Sequence, residues 1–479
     1  MKRLLLVGAV LSAGLAWAEA TVTEDKENKI LTVDVPTDET YQLTSSQAGD
    51  LHGNRYTNVV IRGGGTVTTA ATFAGYTGDI HVDAGVLLEN VNYGLGSKAK
   101  CTVYVATGAT LAANIASGRQ IWHTTHFAEG STFRADIASV SFYGRVVLDG
   151  DCTFDGVSNP LIQPDCVLDM NGHTLTAQKG FYSINPKEVV NPGRIEVVSQ
   201  GGNFYGPYTT DHYGTNLVLS LPAGTTWRFQ SGDTIKRDYT NHCEWTIECA
   251  GKLKMEACYG NFAYEGPIVL PSTATLSLSD AAMPEGQVAT FVLAGPVTAG
   301  EVACADTRTL HLYGTNSIGL LKVKGPLYAA HRASLPADLA NLSVDDWKPL
   351  VMVGSNEFCT GWSPAEAKEV MDFLATGPNK RLGVGTVFGT SSTLTVDVGS
   401  WDGYKFAFGA YGRGEAVLKG DFAATTAMNL SSSTDVDLVF TREASDAPLV
   451  RIGGCGDPDG RQNGHHRNGF HAHPLPTGR

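Results

Sequence analysis

Charge is scarce in this chain. Asp, Glu, Lys and Arg supply 17% of its 479 residues, against about 25% in an ordinary soluble domain. Basic residues are the scarcer sign, 35 against 48 acidic, for a formal net charge of −13. That balance excludes nucleic acid as the main partner, because phosphate binding needs a basic face. Long apolar runs are missing as well. Beyond residue 15 no stretch approaches the roughly 18 apolar residues of a membrane-spanning helix, so no transmembrane helix is expected. None of the nine cysteines falls in a C-x-x-C pair, which removes the usual zinc spacing, and no metal or cofactor is expected.

What is abundant is small and uncharged. The chain holds 55 glycines and 47 threonines, with 42% hydrophobic residues, enough for a large core. Its first twenty residues are an address. Lys2 and Arg3 precede an apolar run over residues 4–15, then small-x-small sites at Ala16-Trp17-Ala18 and Ala18-Glu19-Ala20. This is the anatomy of a signal peptide, too short to span a bilayer. Its removal leaves a mature chain of −14, expected to be exported to the cell surface, the medium or the periplasm.

From Thr21 to Val450 the chain reads as short alternating strands between Gly, Asn, Asp and Pro. Ile30–Val35, Arg145–Asp149, Arg194–Val198, Asn216–Ser220 and Thr393–Val398 are examples. One phrase recurs, a turn residue and then Thr or Cys beside a large apolar residue. It occurs at Gly108–Leu111, Gly130–Phe133 and Gly150–Phe154, and again at Gly224–Trp227, Ser272–Leu276 and Gly389–Leu394. Leu111, Phe133 and Phe154 follow one another at 22 and 21 residues. An interval just above twenty with one or two short strands is one coil of a β-solenoid, whose coils must stack to bury their apolar faces. The fold expected is therefore all-β, a parallel β-helix over residues 21–450. Tandem β-sandwiches are the alternative, although sandwiches show more two-residue Asn-Gly hairpins, and Asn171-Gly172 is the clearest such pair in the body.

Residues 57–114 carry a more specific pattern: Gly64-Gly65-Thr66, Tyr76-Thr77-Gly78, Asp83-Ala84-Gly85, Leu95-Gly96 and Gly108–Leu111. This copy resembles the autotransporter-associated β-strand repeat of bacterial surface proteins, and Leu168–Thr176 echoes it weakly. The resemblance implies a right-handed parallel β-helix displayed or released outside a Gram-negative-type cell, with no catalytic residues. Full-length members end in a translocator barrel, for which the chain after the repeat is too short.

One segment breaks the β pattern. Ser363 can cap free amides, Pro364 suits a first helical position, and Glu366 completes a capping box. Val370, Phe373 and Leu374 share a face before Gly377-Pro378. A decorating or capping helix is expected near 363–376, in the late part of the solenoid, 331–450. The tail, 451–479, carries His465, His466, His471 and His473 and almost no large apolar residues, so it reads as disordered.

Chemistry-bearing patterns are few. Glu244 and Glu248 on one strand are about 13 Å apart, too far to flank a glycosidic bond, while Asp435 and Asp437 read as plain strand alternation. The Asn-Thr-Asp, Gly-His-Gly and Arg-x-Lys signatures of pectin hydrolases are absent, and Asn171-Gly172-His173 reads as a coil turn. Cys243, Trp245, Ile247 and Cys249 share a strand face and read as core. Cys152 and Cys166, fourteen residues apart, are the better disulfide candidates in an oxidising compartment. Gly202–Gly214 gathers Phe204, Tyr205, Tyr208, Asp211, His212 and Tyr213, whose rings and polar groups are candidate glycan contacts on an excursion from the coil. No catalytic residue is assigned. The reading favoured is a non-enzymatic exported scaffold of adhesin-like character, with surface glycans or polymers of host or neighbouring cells as partners. The alternative is a carbohydrate-binding or polysaccharide-cleaving β-helix protein.

Overall fold

The computed structural model describes residues 19–69, 75–90, 95, 101–114, 119–136, 140–156, 161–179, 183–198, 203–205, 216–229, 238–241, 244–257, 261–280, 290–304, 309–325, 327–344, 350–353, 365–366, 369–370, 373, 381–385, 392–400, 405–410, 413–421, 427–432, 435–442, 445–452 and 472–473. The protein is a right-handed parallel β-solenoid, nearly all strand. It divides into two compact units, Met1–Ser158 and Asn159–Arg479.

In the first unit, one sheet stacks Ile30–Asp34, Asn58–Arg62, Asp79–Val82, Thr102–Val105, Thr124–Phe127 and Arg145–Leu148, all parallel. A second stacks Thr40–Gln42, Thr66–Thr69, Val86–Glu89, Thr110–Ala113, Thr132–Ala135 and Cys152–Gly156. Leu111, Phe133 and Phe154 lie in direct register, so the 22- and 21-residue intervals of the sequence are successive coils. The threonine before each of them takes the outward position: Thr110, Thr132 and Thr153 form one row. The inward positions close-pack. Phe127, Phe133, Phe142 and Phe154 are buried with ring centroids 4.8–5.4 Å apart, and each such side chain contributes about 1.5–3 kcal/mol over exposure.

The second unit repeats the scheme in ladders of parallel strands. One runs Thr174–Ala177, Arg194–Val197, Val218–Leu221, Thr246–Cys249 and Ile268–Val269. Another runs Asn203–Tyr205, Thr225–Phe229, Leu253–Ala257, Thr275–Asp280, Val297–Cys304, Ser317–Val323 and Leu342–Val344. The third includes Thr290–Leu293, Thr309–Leu312, Leu327–Ala329 and Leu350–Val353. Trp227 and Trp245 are fully buried, with Ile247 and Cys249 on the same strand face, as the alternation demands.

Parallel pairing on this scale overturns the tandem-sandwich alternative, because sandwich sheets are antiparallel. Among the described residues the antiparallel pairs are Thr21–Asp25 on Ile30–Asp34, Ser445–Ile452 on Asp435–Arg442, and Ala472–His473 on Arg451–Ile452. Antiparallel strands thus cover a sheet edge that the next parallel coil would otherwise extend.

The corners are made by turn chemistry. Ala109 N–H donates to the Ala106 carbonyl at 2.9 Å, with Gly108 between them at φ +75°, a sign of φ that a type II turn needs at its third position. Asn171 and Gly172 have φ +47° and +78°, and His173 N–H closes onto the Met170 carbonyl; this is a coil turn with both central residues left-handed, as in type I′.

Residues 365–366, 369–370 and 373 are helical. Val370 is buried, and Glu369 pairs with Arg332 at 3.1 Å. Strands continue after this helix, from Arg381–Gly385 to Ser445–Ile452, so it decorates the solenoid rather than ending it. An eight-residue helix at Ser45–His52 was not anticipated; Thr44 and Gln47 form its capping box. Residues 1–18 of the expected signal peptide and most of the tail lie outside the described residues.

Candidate functional site

Of the glycan contacts expected at 202–214, Phe204 and Tyr205 fall on described residues. Asn203–Tyr205 is a strand of the second unit, with Phe204 level with the buried Trp227 and Tyr205 level with Arg228 and Ser183. Phe204 and Tyr205 therefore belong to the coil itself and not to an excursion. Tyr208, Asp211, His212 and Tyr213 lie outside the described residues. Glu244 is exposed, whereas Glu248 is engaged by Arg194 at 2.8 Å. Asp435 and Asp437 are level with Arg413 and Glu415 on neighbouring strands.

Cys101, Cys152, Cys166, Cys249 and Cys304, the cysteines among the described residues, are buried. The structure holds Cys152 and Cys166 as buried thiols rather than as a disulfide. Burial raises the Cys152 thiol well above its ordinary range. Cys101 donates to the Leu95 carbonyl at 2.8 Å, and burial, with the Glu89 carboxylate nearby, pushes its thiol up to about 12. Protonated, buried thiols are poor nucleophiles and poor metal ligands. Among the described residues no three His, Cys, Asp or Glu side chains group closely enough to hold a metal ion.

Two arrangements in the first unit were not singled out from the sequence. The first is internal. Glu89 ends an inward-facing strand position, and His123 and Thr125 face inward from a neighbouring sheet. His123 Nε2 lies 2.9 Å from Glu89 Oε1, and His123 Nδ1 lies 2.9 Å from Thr125 Oγ1. The chain is satisfied when Nε2–H donates to the carboxylate and the hydroxyl donates to Nδ1. Hydroxyl, imidazole and carboxylate in that order are the parts of an activated nucleophile. Substrate cannot reach it, however: the Glu89 and His123 side chains are 2% exposed and Thr125 is 0% exposed. Its chemistry is structural, satisfying polar groups in an apolar core.

The second arrangement is external. Thr32, Val60, His81, Tyr104 and His126 occupy one row of the first sheet, one per coil. All five are half-buried on the outward face. His81 and Tyr104 stack with centroids 4.9 Å apart and planes within 8°, and Tyr104 stacks on His126 at 4.8 Å and 27°. His126 Nδ1 contacts Asp149 Oδ2 at 2.9 Å, which fixes the ring and leaves Nε2 as its remaining polar atom. Beside this ridge run Asn58, Asp79, Thr102 and Thr124, also in register and half-buried. On its other side Arg62 pairs with Asp83 at 3.3 Å. At the corner before His126, Trp122 stacks on Tyr143 at 4.5 Å, its indole N–H held by Gln120 at 2.8 Å.

The sequence did hold a signal for the ridge: DIHV, TVYV and TTHF each place a ring at the third strand position, 22 or 23 residues apart. No family model, curated protein or solved structure matches the chain.

Proposed function

We propose that the protein is an exported, non-enzymatic scaffold of adhesin-like character, carrying a passenger-type repeat over residues 57–114 and working at the cell surface or in the extracellular space. The observation that supports this reading is the register of the outward rows. Coil stacking sets Thr40, Thr66, Thr110, Thr132 and Thr153 in line on one sheet, interrupted by Val86, and the ring ridge in line on the other. A rigid body that repeats short, mostly uncharged side chains at coil spacing suits display and attachment. The signal-peptide pattern and low charge agree with work outside the cytoplasm.

Fractionation and protease shaving of cells that produce the intact chain test it. The expected outcome is a chain cleaved after Ala18 or Ala20, accessible to external protease or released, whose deletion lowers attachment to surfaces or neighbouring cells. Cytoplasmic retention of the uncleaved chain would sink the proposal. Release of new reducing ends from any polysaccharide by the purified protein would overturn the non-enzymatic part.

A further inference from the structure

We infer that the ring ridge of the first unit is a binding track for an uncharged hexopyranose polymer lying along the stacking direction of the coils. The inference rests on the reading of the protein as an exported scaffold and gives that scaffold a ligand class and a site.

The rings of His81, Tyr104 and His126 are stacked on each other, so their inner faces are already covered. What they present outward is edges: the Tyr104 hydroxyl and the free imidazole positions, one polar group on each coil. Strand spacing repeats these groups every 4.7–4.9 Å or so. The neighbouring row, Asn58, Asp79, Thr102 and Thr124, repeats amide, carboxylate and hydroxyl groups at the same interval. A ligand that uses such a track must repeat donors and acceptors at that interval and carry apolar patches for the ring edges and Val60. In an extended β-1,4-linked chain each pyranose ring advances the polymer by nearly one coil spacing and offers both hydroxyls and C–H faces. An extended peptide advances about 3.3–3.4 Å per residue and falls out of step within two coils.

Charge selects among glycans. Asp34, Asp79, Asp83 and Asp149 lie along this face, with Arg62 already paired to Asp83 and His126 to Asp149. Polyuronates and sulfated polymers would meet carboxylates at close range and be repelled. Neutral sugar hydroxyls can donate to those same oxygens. The pairing of His126 with Asp149 also holds the imidazole in place before a ligand arrives, which lowers the ordering cost of binding.

The test uses the purified full chain, so its result does not depend on export or on cell attachment. Retention is measured on cellulose, chitin and a β-1,4-mannan as neutral polymers, on polygalacturonate and heparin as anionic ones, and on gelatin as a protein. The structure leads us to expect retention by at least one neutral polymer. Two variants should weaken it at least about tenfold: Tyr104→Ala, and the triple His81→Phe, Tyr104→Phe, His126→Phe, which keeps stacked rings but removes their polar edges. Lys322→Ala, on the surface of the second unit, should bind as the parent does. Thermal melting checks each variant, and the triple variant decides the matter should Tyr104→Ala not fold. Three results would each overturn the inference: no retention by any neutral polymer, stronger retention by the anionic polymers or gelatin, or parental binding by a folded triple variant.

Discussion

Each unit of this solenoid buries a histidine, and the two are accommodated in opposite ways. In the first unit His123 sits between two hydrogen-bonding partners, Glu89 and Thr125, each at 2.9 Å. In the second unit His311 lies flat against Tyr328, with centroids 4.0 Å apart and planes within 4°, and its Nδ1 lies 3.3 Å from the Tyr313 hydroxyl. Burial lowers its pKa from 6.5 to about 4. The difference shows what a stacked coil can tolerate inside. A titratable group is kept either by supplying the full set of polar partners from adjacent coils, or by keeping it neutral against a ring.

The sharpest way to break this comparison is to remove the carboxylate. Glu89→Ala strips His123 of one partner and opens a gap in the core, and about 3–5 kcal/mol of stability should be lost, as when one member of a buried pair is removed. Chemical denaturation of parent and variant measures it; a loss below about 1 kcal/mol would show that the chain of hydrogen bonds is dispensable. Acid comes next. His311 stays neutral in the folded state down to about pH 4, whereas the unfolded chain takes up a proton near 6.5. The unfolded state therefore binds the extra proton between these values, and stability present above pH 6.5 is lost as pH falls towards 4, by up to about 3 kcal/mol. Melting curves of the parent and of His311→Phe across that window should converge at neutral pH and separate in acid. Parallel curves would mean that His311 is not the group responsible. Thr125→Val leaves His123 Nδ1 without its hydroxyl and should cost about 1–3 kcal/mol. Smallest of all, Tyr313→Phe removes the 3.3 Å contact to His311, and a change within about 0.5 kcal/mol is expected by the same denaturation assay.

Much of the architecture was legible from the chain. The glycine-threonine phrase ending in Leu111, Phe133 and Phe154 marked the coil, because a stacked strand must return to the same inward position once per turn. Asn171-Gly172 marked a corner, because two left-handed residues in succession suit few other residue pairs. Ser363-Pro364 and Glu366 located a helix, though not its role, since nothing in a capping box tells whether strands resume afterwards. The helix at Ser45–His52 had its own box in Thr44 and Gln47, but eight residues with little apolar periodicity leave a weak trace.

The site was far less legible. Phe204 and Tyr205 drew notice because aromatic residues crowd together in the sequence there, and stacking places both on a strand of the coil. His81, Tyr104 and His126 are separated by more than twenty residues each, and only stacking makes them neighbours. Glu89 and His123 are 34 residues apart, and no local pattern in the chain joins them.

The sequence by itself determined the kind of object this is: the alternation gave strands, the interval gave the coil, and the glycines and asparagines gave the corners. All of these are local, written within one turn of chain. Tertiary structure alone decided which side chains share a face. In a parallel stack each coil sets its neighbours' register, so a ridge of rings outside and a hydrogen-bonded imidazole inside arise between coils, where no stretch of sequence records them. The scarcity of charge follows the same logic, since repeated like charges in register would repel along every row.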